Sequence, residues 1–88
     1  MLLRARVQAA GGEVRGFVRN LSATGAMMDA HHALATDMVV TLNCGDMAIL
    51  ARVAWVETRR LGLQFNVALD EATVAAMISQ PRAEAATA

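Results

Sequence analysis

The sequence predicts an all-β domain: a small six-stranded antiparallel β-barrel with one C-terminal helix. Three observations carry this. Apolar and polar residues alternate from Leu3 to Ala9, the period of a half-buried strand. Turn-forming clusters recur at Gly11-Gly12, Asn20 to Gly25, Asn43 to Asp46 and Thr58 to Arg60, leaving strand-length segments between them. Helical spacing occurs only afterwards, at Val74, Met77 and Ile78.

The elements follow in order. Leu3 to Ala9 buries positions 3, 5 and 7 and exposes Arg4 and Arg6. Gly11-Gly12 is a hairpin connection. The returning strand, Glu13 to Arg19, sets Val14, Gly16 and Val18 on one face and Arg15, Phe17 and Arg19 on the other. A short strand, Ala26 to Met28, follows the polar turn, and a loop then holds Asp29, His31, His32 and Asp37. Met38 to Leu42 is the fourth strand. Met47 to Glu57 is long and apolar on both faces, as suits a central barrel strand, with Arg52 on its outer side. Leu61 to Val67 is the sixth. Asp70 is an N-cap for a helix over about 70–80, with Leu69 and Val74 placed as a hydrophobic staple. Pro81 stops it, so the domain spans 1–80 and 81–88 is a disordered tail. Trp55 is expected to pack against the barrel core or the helix.

Composition narrows the function. At 88 residues this is one domain near the lower size for a self-sufficient core. Apolar residues make up 56%, but nineteen are alanine, so self-pairing into a homodimer is one way to add buried surface. No apolar run approaches the ~20 residues that span a bilayer, and no signal peptide precedes the first strand. The single cysteine, Cys44, cannot form an internal disulfide, which fits a cytoplasmic location. Net charge is zero, so no broad field draws the chain to nucleic acid or to a membrane. Locally, Arg4, Arg6, Arg15 and Arg19 crowd the first two strands with only Glu13 against them. All eight basic residues are arginine, a bias that codon usage alone can produce.

The most informative stretch is Asn20-Leu21-Ser22-Ala23-Thr24-Gly25. Asn and Ser fold back onto nearby backbone groups, and Gly takes φ > 0 without steric cost. Such a turn offers free N–H groups and two polar tips at a barrel rim. The pattern Asn-x-Ser-x-x-Gly resembles the D/N-x-S-x-x-G signature of PilZ domains, bacterial receptors for cyclic di-GMP. Val53-Ala54-Trp55 and Gly62-Leu63-Gln64-Phe65 are similar to that family's V-x-W and G-x-x-F, in the same order, so the likeness runs from roughly Leu3 to Val67.

The resemblance implies that Asn20 and Ser22 contact a guanine base and that Gly25 supplies backbone shape. Asn in place of Asp accepts without the strength of a charge. The chain departs from the family at R-x-x-x-R, the pair that grips phosphates upstream of the first strand. Arg4 and Arg6 have the wrong spacing, and they, Arg15 or Arg19 would have to substitute. Two readings therefore stand: a cyclic di-GMP receptor or adaptor, and a degenerate PilZ domain that works as a protein-interaction module.

Other chemistry is weakly signalled. His31 and His32 point opposite ways on an extended loop, with no third metal ligand at recognisable spacing. Cys44 sits in a turn without a marked base. No carboxylate pair or phosphate-binding glycine loop indicates an enzyme or a cofactor.

Overall fold

The computed structural model describes residues 2–79; the expected Pro81 stop and the tail at 81–88 lie outside the described residues. The strands are β1 (Leu3–Ala9), β2 (Gly12–Leu21), β3 (Gly25–Ala30), β4 (Val39–Cys44), β5 (Met47–Glu57) and β6 (Arg60–Phe65), followed by helix α1 (Glu71–Ile78). They close into one antiparallel barrel in the order β1-β2-β3-β6-β5-β4. Burial alternates as the pleat demands: Val7, Val18, Met28, Leu42, Val53 and Leu61 point inward and are fully buried. Met77 of α1 adds to this core. Val74 is half-buried and Ile78 is exposed, so the helix presents a narrower stripe than its spacing suggested. Asp70 caps it as expected, its Oδ1 accepting from the Thr73 N–H at 2.6 Å.

Several boundaries move. β2 runs on to Leu21, so Asn20 belongs to the strand and the turn is tighter than six residues. β3 extends to Ala30 and takes in Asp29, which the sequence placed in a loop. β4 includes Asn43 and Cys44, because Gly45 at φ 61 lets two residues close the hairpin to Met47. Cys44 is therefore a buried strand residue, and burial pushes its thiol pKa up.

Two β-bulges decide what faces outward. β2 carries an extra residue at Arg19, since Val18 pairs with Met28 while Asn20 pairs with Met27. β5 carries one at Ala54, since Val53 pairs with Leu63 while Trp55 pairs with Gly62. Strict alternation would send Asn20 inward after Val14, Gly16 and Val18, and Trp55 inward after Ala51 and Val53. Each bulge shifts the parity by one and turns its residue outward. Trp55, expected to pack against the barrel core or the helix, lies on the outer wall against Gly62 with 39% of its surface exposed.

Candidate functional site

The four central strands bring one row of residues together on the outer wall: Asn20 of β2, Met27 of β3, Gly62 of β6 and Trp55 of β5, each paired with the next across the ladder. The Asn20 amide makes no hydrogen bond within the described residues. Arg19 stands beside it, exposed on the face it shares with Arg15 and Phe17.

Below Asn20, the chain turns through Ser22, Ala23 and Thr24. Ser22 N–H donates to the Gly25 carbonyl at 2.9 Å, and its Oγ accepts from Thr24 N–H at 3.3 Å while reaching the Gly25 carbonyl at 3.3 Å. The rim therefore differs from an array of free N–H groups, because the turn consumes those of Ser22 and Thr24 itself. Its carbonyls are also engaged: Phe65 N–H donates to Thr24 at 2.9 Å and Leu69 N–H to Ala23 at 2.7 Å. The Ser22 hydroxyl stays exposed, held by these long contacts and by the Thr24 hydroxyl at 3.5 Å.

Gly25 is needed for a reason other than the expected one. It has no positive φ; a Cβ there would run into the Leu63 carbonyl of β6. Close approach of two strands, and not turn handedness, excludes a side chain.

The arginines separate into two groups. Arg6 and Arg15, opposite each other on β1 and β2, share Glu13 at 3.5 and 3.3 Å. They lie four residues back along β2 from Arg19, roughly 13 Å at the strand rise. Arg6 is thus kept away from the turn. Arg4 faces Phe17 across the ladder and has no acidic partner among the described residues. Arg19 is paired after all. Asp29 Oδ2 binds its Nη1 at 2.9 Å, while Oδ1 binds Arg60 Nε at 2.9 Å. Partial burial raises the Asp29 pKa, but the bonds from Arg60 and Arg19, with their charges, outweigh it and hold the carboxyl below its usual 3.8.

At the far end of this wall an open cavity of about 830 Å³ is bounded by Phe17, Asp29, His31, Thr58, Arg59 and Arg60. His32 ties the adjoining loop down: its Nε2 lies 2.7 Å from the Glu57 carbonyl, and its Nδ1 accepts from Leu34 N–H at 3.2 Å. That acceptor role assigns the ring proton to Nε2, leaving neither nitrogen for a ligand. No group of three metal-binding side chains is present among the described residues.

A family model for the PilZ domain matches residues 1–80. The chain belongs to the PilZ domain family. No curated protein matches it. PilZ domains are cyclic di-GMP-binding modules of signalling and are generally non-catalytic. In this PilZ domain Asn20, Arg19 and Trp55 stand on one outer wall, with Met27 and Gly62 between the strands that carry them. Sequence reasoning missed Asp29 and Arg60, taken for loop and turn residues. The two are 31 positions apart and meet only because β3 pairs with β6. No helix among the described residues is long and apolar enough to cross a membrane.

Proposed function

We propose that this PilZ domain is a cyclic di-GMP receptor or adaptor in bacterial second-messenger signalling, acting in the cytoplasm by binding alone. The observation that carries the reading is the free amide of Asn20, turned outward by a bulge and flanked by the guanidinium of Arg19. An amide offers both an acceptor for guanine N1–H or N2–H₂ and a donor for a base carbonyl. Ser22 shapes the turn and presents its hydroxyl at the ligand's edge. Gly25 keeps the turn pressed against β6. Arg4 is the nearest cation on β1 without an acidic partner.

Titration calorimetry with cyclic di-GMP tests this. Micromolar binding that is lost in Asn20→Ala and in Ser22→Ala supports it. Absence of heat from the wild-type chain at high protein concentration refutes it. A second reading, a protein-interaction module without nucleotide, draws on the outer β4–β5 wall, where Val39 and Leu50 are 62% and 50% exposed. Such a surface suits a protein partner or a second copy of the chain.

A further inference from the structure

The outer wall around Asp29 is organised for an anion. Among the described residues, six of seven arginines stand on β1, β2, β6 and the β5–β6 turn, accompanied by Glu13, Asp29 and Glu57. The seventh, Arg52, shares the rest of the molecule with Asp37, Asp46, Asp70 and Glu71. A chain that is neutral overall therefore carries one net-positive wall. Within it, Arg19 and Arg60 converge on the two oxygens of a single carboxylate. Each guanidinium spends one nitrogen on Asp29, Nη1 of Arg19 and Nε of Arg60. Their other N–H donors make no hydrogen bond among the described residues.

Three geometric facts hold this arrangement open to a ligand. The bulge at Arg19 sets its side chain beside that of Asn20. The Ala30 N–H donates to the Arg59 carbonyl at 3.0 Å, fixing the end of β3 against the turn that carries Arg59 and leads into Arg60. The 830 Å³ cavity adjoins Asp29 and Arg60, takes in Arg15 and Glu57, and is bounded by Phe17, a residue 43% exposed. A phosphate resembles a carboxylate in charge and in its paired oxygens, so it can bridge the same two guanidinia through donors that Asp29 leaves unused. The trio keeps one positive charge, and Arg59 adds another, with no salt bridge among the described residues.

We propose that Arg19 and Arg60, yoked by Asp29, are the phosphate grip of this PilZ domain, and that the cavity beside Phe17 takes a planar ring of the same ligand. This rests on the proposed binding of cyclic di-GMP at Asn20, and it assigns the phosphodiester to the barrel wall, independent of any residue upstream of β1. Asp29 and Arg60 are positioning and ligand-contacting residues, respectively.

Calorimetry on Arg60→Gln, with Arg52→Gln as the control and circular dichroism to verify folding, is the first test. Arg60→Gln is expected to weaken cyclic di-GMP by roughly tenfold to a hundredfold and Arg52→Gln to leave it unchanged. The second test needs no variant: the Nε–Hε resonances of the wild-type chain are followed by NMR as cyclic di-GMP or inorganic pyrophosphate is added. Selective shifts of Arg19 and Arg60 are expected with both. Unchanged affinity in Arg60→Gln with an unmoved Arg60 signal overturns the grip while the receptor reading stands. Pyrophosphate shifts without any binding of cyclic di-GMP support a phosphate site and overturn the receptor reading. Silence towards both probes overturns both.

Discussion

Trp55 and Gly62 face each other across the β5–β6 ladder, and the indole fills the space in which any larger residue at 62 would place its Cβ. Gly62→Ala must push the ring outward into solvent or force the strands apart. The expected cost is about 1–3 kcal/mol, as for other overpacked contacts. Trp55 is the only tryptophan, so its emission should move to longer wavelength. An unchanged emission maximum and urea midpoint would contradict the packing described.

Gly25→Ala and Gly25→Val are both expected to destabilise the barrel, because each places a Cβ against the Leu63 carbonyl. A backbone carbonyl cannot move aside without disturbing the β3–β6 ladder, so the loss should be about 1–3 kcal/mol for alanine and larger for valine. Denaturant titration checks this. Equal stability of Gly25→Ala and the wild type would mean that the strands are farther apart than found here.

Asp29 makes stability depend on pH. Its folded pKa is lowered, so its contribution is complete above the unfolded value near 3.8 and is lost as pH falls through the lower folded value. The stability gap between the wild type and Asp29→Asn should therefore be constant at neutral and mildly acid pH and narrow under strongly acid conditions. Denaturation series at stepped pH measure it. A gap that stays level to the acid limit would show that the two arginine bonds do not tune this carboxylate.

Cys44 is buried, and its raised thiol pKa keeps it protonated. An exposed-thiol reagent should leave the native chain unmodified at neutral pH and label it fully in denaturant. Rapid native labelling would place Cys44 on an accessible surface.

Much of the fold was legible because it is local. The alternation from Leu3 to Ala9 and the apolar run from Met47 to Glu57 give β1 and β5 their observed ends, and Asp70 caps the helix as its residue type demands. The candidate site was legible only in part. Asn20, Ser22 and Gly25 stand out by residue type, but the directions of Asn20 and Trp55 depend on bulges. A bulge is a mismatch between two strands and leaves no mark in either one alone. The Arg19–Asp29–Arg60 cluster escaped for a related reason. Its members come from three strands, and the pairing of β3 with the distant β6 is what makes them neighbours. Gly25 carried the right residue with the wrong cause, since positive φ and close approach both demand glycine.

The β1–β4 ladder has a consequence for whatever meets this protein. Among the described residues each of the six strands is bonded on both sides, and the β1–β4 seam is the shortest, with only Arg6 to Gln8 paired to Thr41 to Asn43. β-Augmentation is thereby closed off along the other five ladders, and any added strand would have to enter at the unpaired ends of the β1–β4 seam. Along those five ladders recognition is left to side chains on a curved wall.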